Sequence, residues 1–233
     1  MWRRVFAVVS YLIGLAGAGI FMLYLLGTGV GVWPRPDTSE GLTPWLVDVS
    51  LLGLFALQHS GMARETFKRA ITHVILAALE RSTYVAASGI VLGIVTLCWQ
   101  PLPGEAIWEG PVWVVGICLL ASVGVAWCAA RFDHNRFFGL TQAWTGDADT
   151  HGPLIVEGPY RYVRHPLMFG LLIVLWAQPV MPRELFLMNA GWTLYIVLAV
   201  KLEERDLVRQ YGEEYEKYRS EVPMLIPWRW RRT

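Results

Sequence analysis

Three stretches of this sequence carry no charged residue: Val5–Pro34, Ser82–Gly104 and Gly110–Ala130. Each exceeds the roughly 18–20 apolar residues that a helix needs to cross a bilayer. Hydrocarbon offers no partner to an exposed N–H or C=O, so a run of this kind is expected to fold as a helix. A fourth stretch, Thr43–Ala63, is interrupted only by Asp48 and His59 and reads the same way, with Asp48 a solvated acid near the outer interface. The rest of the composition agrees. Hydrophobic residues make up 55% of the 233, and mean hydropathy is +0.40, too apolar for a soluble protein of this size.

The second half of the chain has a different grain. Gly158-Pro159-Tyr160-Arg161-Tyr162-Val163-Arg164-His165-Pro166 is polar and basic and ends on a helix-start proline. Two apolar segments follow, Leu167–Val180 and Leu185–Val200, divided by Pro179, Pro182 and Arg183-Glu184. At ~1.5 Å per residue they span roughly 21 and 24 Å, short of a ~30 Å hydrocarbon core but matched to each other. They are expected to form an antiparallel helical hairpin. Its return would bring Lys201-Leu202-Glu203-Glu204 back beside His165, making one polar site from two distant motifs.

Lys and Arg placement orients the chain. With the N-terminal end in the cytosol and a crossing at each span, the outer loops keep only Arg35 and Arg183 of the 20 basic residues. Trp2, Trp33, Trp45, Trp99, Trp108, Trp113, Trp228 and Trp230 fall near span ends, as interfacial anchors do. The expectation is an all-α, multi-pass cell-membrane protein with both terminal ends cytoplasmic. It has a four-span bundle over 1–130 and a C-terminal region over 131–233, integrated as one domain. Cys98, Cys118 and Cys128 lie within spans, form no Cys-x-x-Cys pair and imply neither a disulfide framework nor a metal site. Gly27-Thr28-Gly29-Val30-Gly31 lacks the strand that a phosphate-binding loop requires, and small residues such as Gly14 and Ala18 read as helix-packing positions.

Polar residues then mark the cytosolic side. Span two ends Gln58-His59-Ser60, span three begins Glu80-Arg81-Ser82, and span four is followed by Asp133-His134-Asn135-Arg136. The segment from there to Val156, with Asp147, Asp149, His151 and Gly152, reads as a loop with little regular structure. Asp133-His134 alone is half of a metal site at best. His59, Arg81 and His134 are candidates for catalysis, because ionisable groups at membrane depth are rarely without a role. After the hairpin, Leu207, Tyr211, Tyr215, Tyr218 and Val222 recur at helical spacing, the apolar face of one cytosolic amphipathic helix that Pro223 stops.

Gly158–Pro166, with Glu203-Glu204-x-x-Leu207, Tyr211-Gly212-x-x-Tyr215-x-x-Tyr218 and Val222-Pro223-x-x-Ile226-Pro227, resembles the signature of the isoprenylcysteine carboxyl methyltransferase and phospholipid methyltransferase superfamily. Gln58-His59-Ser60-x-Met62-Ala63-Arg64, Phe67-Lys68 and Glu80-Arg81-Ser82-x-Tyr84 resemble its NnrU-like branch, which contains methanethiol S-methyltransferases. Phe138-Gly139-Leu140 is followed by Thr141-Gln142 where that branch tends to carry arginine and glutamine. The resemblance implies S-adenosylmethionine as cofactor, bound in the C-terminal third by Leu154, Ile155, Gly158, Tyr160, Arg164, His165, Pro166, Glu203 and Glu204. Donors on Arg164 and His165 would suit its carboxylate or ribose, and Glu203 its hydroxyls or amine. It also implies a methyl acceptor that is a small thiol or a lipid-phase molecule. His59 then serves as base, Arg81 as the charge that stabilises a thiolate.

Membrane lipids are the other expected partner, and nucleic acid is not one. A prenylated-cysteine-like or phospholipid acceptor, a nicotinamide-dependent reductase and a non-enzymatic accessory protein remain open readings of the same residues.

Overall fold

The computed structural model describes residues 1–29, 41–131, 133–147 and 153–227; Trp33, Arg35, Asp149, His151, Gly152, Trp228 and Trp230 lie outside them. In chain order the helices are α1 (Trp2–Gly29), α2 (Thr43–Met62), α3 (Glu65–Ile71), α4 (Glu80–Cys98), α5 (Val114–Ala129), α6 (His134–Phe137), α7 (Leu140–Thr145), α8 (Pro166–Trp176), α9 (Arg183–Tyr211) and α10 (Glu213–Glu221). Strands β1 (Trp108–Glu109) and β2 (Val180–Met181) pair antiparallel.

Three helical segments are long and apolar enough to cross a membrane: Trp2–Thr28, Ala77–Cys98 and Arg183–Tyr211. Helices α2 and α3 make a fourth if their 75° bend falls within one span. Large apolar side chains stand outward on these helices and on α5: Leu57 is 78% exposed and Leu120 75% exposed. Surfaces of this kind need lipid against them. Helix α5, read from the sequence as a full span, has 16 residues, about 24 Å. It starts only at Val114, because Pro111 and the turn after it take up the beginning of the apolar run.

Contacts divide the chain into two compact units, each interleaved along the sequence. The first comprises Met1–Gly110, Asp133–Thr150 and Pro179–Gly191. Its centre is the packing of α1 on α4, which glycines permit. A Cβ on Gly89 would lie 2.6 Å from the Ile13 carbonyl oxygen and 2.7 Å from the Gly14 Cα; one on Gly17 would meet the Gly89 backbone. The backbones therefore touch where other residues would hold them apart. Gly14 belongs to this seam, as expected, but its counterpart is Gly89 on the facing helix. Because the obstacles are backbone atoms that cannot rotate away, Gly89→Leu is expected to destabilise the protein by about 3 kcal/mol. Thermal unfolding in detergent should show it as a lower midpoint and lower yield, with Gly93→Leu, where no atom lies within 4 Å, as the tolerated control.

Asp48, expected to be solvated, is fully buried. Its Oδ1 accepts from the N–H of Gln100 at 2.8 Å, just past the end of α4, while Glu184 Oε2 accepts from Leu102 N–H at 3.4 Å and Trp99 Nε1 donates to the Glu184 carbonyl at 3.1 Å. The Pro-rich segment after α4 cannot satisfy its own N–H groups, and these acids do so. The segment after α5, expected to have little regular structure, holds two short helices. Asp133 caps α6 through Arg136 N–H, and Gly139 and Gly146 bracket α7 at φ +85° and +83°, a region open chiefly to glycine.

The second unit comprises Pro111–Phe132, His151–Gln178 and Trp192–Thr233. Helix α5 packs on α8, where a Cβ on Gly170 would lie 2.6 Å from Val125 Cγ2. The antiparallel return predicted between α8 and the following helix is present: Trp176 Nε1 donates to Thr193 Oγ1 at 2.9 Å near one end, and His165 meets Glu204 at 3.3 Å at the other. The two limbs are not matched, however. Helix α8 has 11 residues and α9 has 29, so Glu203 and Glu204 sit within a continuous helix that runs on to Tyr211. Lys201-Leu202-Glu203-Glu204 contains no breaker, and propensity carries the helix through it. The expected single amphipathic helix is instead two pieces, because Gly212 at φ +56° breaks it between Tyr211 and Glu213. The apolar face survives: Tyr215, Tyr218 and Val222 form a core with Leu154, Leu207, Val208 and Tyr211.

Candidate active site

Polar side chains of the first unit gather where α2, α4 and the α6 segment meet. His59, on α2, is engaged through both ring nitrogens: Nε2 with Tyr84 OH at 2.7 Å and Nδ1 with Ser88 Oγ at 3.0 Å. Phe55, one turn earlier, stacks on the imidazole at 4.9 Å and 16° and holds its plane. Gln58 donates to Ser88 Oγ at 3.4 Å.

Arg81 stands beside this chain. Its Cζ lies 5.0 Å from the ring centroid of Tyr84 and 4.8 Å from that of Phe137, and its Nε donates to the Phe137 carbonyl at 2.7 Å. Neither Nη group has a hydrogen-bond or carboxylate partner among the described residues. A half-buried guanidinium between two aromatic faces with two open NH2 groups is suited to an anion. Ser82 fixes the same loop by donating to the Gly139 carbonyl at 3.2 Å, and a Cβ on Gly139 would lie 2.6 Å from Ser82 Oγ. His134 is held apart from His59 in this arrangement: its Nε2 meets Tyr11 OH at 2.8 Å, and Phe138 flanks both rings.

Tyr84 and Ser88 carry no assignment from sequence reasoning, although a signal was available. Arg81, Tyr84 and Ser88 follow at helical spacing on one face of an apolar helix. Phe137 and Tyr11 had no such signal, since their partners lie far away in sequence.

In the second unit a separate cluster forms around Arg164. Its Nε donates to Glu204 Oε1 at 2.6 Å, Nη2 lies 2.5 Å from the same oxygen, and Nη1 donates to the Arg219 carbonyl at 3.0 Å and to that of Val222. Both side chains are buried, at 8% and 11% exposure. Backbone bonds add to the clasp: Arg164 N–H to the Pro223 carbonyl at 2.9 Å and His165 N–H to that of Met224 at 3.1 Å. Arg164 and Glu204 thus hold the basic arch to α9 and to the segment after α10. Their donors and acceptor face each other rather than a ligand.

The other candidate residues of this unit surround the clasp. His165 is buried between two carboxylates, with Nε2 3.3 Å from Glu204 Oε1 and Nδ1 3.7 Å from Glu203 Oε2. Glu203 keeps 53% of its side chain exposed. Tyr160 is buried, and its carbonyl accepts from Tyr218 OH at 2.6 Å. Burial pushes the phenols of Tyr160, Tyr215 and Tyr218 up, so they stay neutral at physiological pH. Pro166 begins α8. A cleft of about 630 Å³ is lined by Leu154, Gly158, Arg161, Lys217, Tyr218 and others. Ile155 is half-buried beside its first residue. Arg131, at the end of α5, packs over Trp127 at 5.3 Å with its guanidinium about 3.8 Å from where a Gly158 Cβ would lie. Sequence alone marks Arg131 only as a positive-inside anchor.

Comparison with known proteins places these clusters in context. The family model described as phospholipid methyltransferase matches residues 112–214. The methanethiol S-methyltransferase of Mycobacterium tuberculosis is 36% identical over 98% of this chain and 97% of its own length. That of Crocosphaera subtropica is 41% identical over 80% of this chain and 76% of its own. The chain belongs to the methanethiol S-methyltransferase family. Nurim of Sus scrofa is also similar, 33% identical over 78% of this chain and 79% of its own length. No solved structure matches. The Arg164–Glu204 clasp lies inside the segment matched by the phospholipid methyltransferase description. The His59–Tyr84–Ser88 chain lies before it, within the 98% of this chain that the Mycobacterium tuberculosis relative matches.

Proposed function

We propose that this chain transfers a methyl group from S-adenosylmethionine to methanethiol, giving dimethyl sulfide. The observation that carries the reading is Arg81, a half-buried guanidinium with two open NH2 groups beside an engaged histidine. A thiol attacks as its thiolate, so the site has to stabilise a negative sulfur and take one proton. Arg81 provides the charge and His59 a nitrogen that can accept the proton. Relatives of near-equal length that bear the name methanethiol S-methyltransferase support the same acceptor.

The second unit's donor set fits S-adenosylmethionine. Glu203 offers an accessible carboxylate for ribose hydroxyls or the amine, and His165 stands buried beside it. Arg131 beside Gly158 offers the cation that a carboxylate needs, in place of Arg164, whose donors are occupied. Leu154, Ile155 and Tyr160 supply apolar and aromatic surface. When bound, the cofactor supplies an electrophilic methyl group on a sulfonium. The chain's own part is to orient the thiolate by Arg81 and to keep water from it. His134, paired with Tyr11, holds the α6 segment against α1 rather than acting as base.

The finer topology that we infer is four crossings with both terminal ends cytoplasmic. The α8–α9 hairpin enters from that side, and α10 lies along it. Among the basic residues only Arg35 then falls in an outer loop, and Arg183 stands at the tip of the hairpin. The deciding assay is purified protein with labelled S-adenosylmethionine and four acceptors: methanethiol, hydrogen sulfide, a prenylcysteine and phosphatidylethanolamine. Methyl transfer to methanethiol is expected; transfer only to the prenylcysteine or the phospholipid would replace the thiol with a lipid-phase acceptor.

A further inference from the structure

His59 is not placed to meet a substrate directly. One ring nitrogen is spent on Ser88 and the other on Tyr84, and Phe55 covers a face of the ring. The partner of Nε2 is the Tyr84 phenol, whose ring is also the face against which Arg81 packs at 5.0 Å. One residue therefore connects the anion-stabilising cation with the proton-accepting imidazole.

We propose that Tyr84 is the residue that takes the proton of the acceptor thiol, handing its own to His59, while Ser88 fixes the imidazole tautomer. This rests on the methyl-transfer reading above. Ser88 Oγ accepts from the Gln58 amide, and in this relay it accepts from Nδ1–H of His59 as well. That tautomer leaves Nε2 as the acceptor facing Tyr84 OH, only 2.7 Å away. The step balances. The thiol S–H bond breaks and its proton goes to the phenolic oxygen. The phenol O–H bond breaks and that proton goes to Nε2, leaving a thiolate opposite Arg81 and an imidazolium carrying the positive charge. A bound sulfonium donor would then give its methyl group to the thiolate, its S–CH3 bond breaking with the electron pair kept on the departing thioether, and the imidazolium proton returns through Tyr84 to solvent. The ring of Tyr84 serves as a wall for Arg81; its hydroxyl serves as the relay.

The test is Tyr84→Phe, which keeps the ring and removes the oxygen. With an alkanethiol, kcat/KM is expected to fall about 100-fold or more, the usual worth of a positioned acid–base group. With an arenethiol, already ionised at neutral pH, the loss should shrink to within about threefold. Equal losses with both acceptors would reduce Tyr84 to a packing role and overturn the proposal, as would no loss with either. Ser88→Ala should lower kcat with KM kept, and Ser88→Thr should restore it; no change in kcat would remove Ser88 from the relay.

A second readout needs no methyl donor: the ¹⁵N signals of the His59 ring while methanethiol is titrated into the protein, assigned against His59→Gln. They should respond in the wild type and not in Tyr84→Phe. A response in both would mean that the thiol reaches His59 directly, and a response in neither that the imidazole does not take the proton. A wild type that methylates no thiol while its His59 signals respond would sink the methyl-transfer reading and leave the relay standing.

Discussion

Arg81→Met is expected to lower kcat/KM for a small thiol by about 10²–10³-fold, or about 2.7–4 kcal/mol of transition-state stabilisation. The warrant is geometric. Two NH2 groups of Arg81 have no partner among the described residues, and the guanidinium is packed against two aromatic rings. Methionine keeps the unbranched apolar stem, so what is lost is the charge together with the hydrogen bond to the Phe137 carbonyl. Affinity for S-adenosylmethionine should stay within about twofold, measured by equilibrium binding without acceptor. Arg81→Lys should rescue little, because an ammonium lacks the planar fork that donates to the Phe137 carbonyl while stacking on Tyr84. Wild-type turnover in Arg81→Met would end the thiolate-binding role of this residue.

Glu204→Ala should act on stability first. It leaves Arg164 buried and charged with no carboxylate, a change that typically costs about 3–5 kcal/mol. The same oxygen also meets His165, and the clasp fixes the segment at Val222–Met224, so loosening is expected to spread through the second unit. The thermal midpoint in detergent should fall sharply, and cofactor affinity with it. The paired replacement Arg164→Met with Glu204→Leu should recover much of the stability, since no uncompensated charge is left behind. Glu203→Gln separates the two adjacent acids. Its side chain is half exposed and makes no tight pair, so folding should be kept while cofactor binding weakens. If Glu204→Ala melts like the wild type, the clasp contributes nothing to the fold.

How much of this was legible beforehand follows from the range of each interaction. The apolar runs of α1, α2 and α4 were readable because hydrocarbon forces a local solution on every backbone group, and local composition shows where that is needed. The fold-back that brings His165 to Glu204 was readable from two proline-divided apolar segments. Its unequal limbs were not, because nothing local says whether α9 ends at Val200 or continues to Tyr211. Gly212 as a break is visible as a glycine, yet its positive φ depends on the apolar face on both sides having to meet one core.

Side-chain partners were the part that sequence withheld. Asp48 looked like an interfacial acid until the segment after α4 turned back to be satisfied by it. Arg164 looked like a ligand donor until its nitrogens were found on Glu204, Arg219 and Val222, residues 40 to 58 positions away. Tyr84 and Ser88 became a chain only when α2 brought His59 against α4. Hydrophobic length and basic-residue placement are properties of single segments, and the sequence determined them alone. Which polar atom meets which depends on how helices far apart in the chain lie against each other. A hydrogen bond is made or lost within a few tenths of an ångström, and only the tertiary structure sets distances that finely.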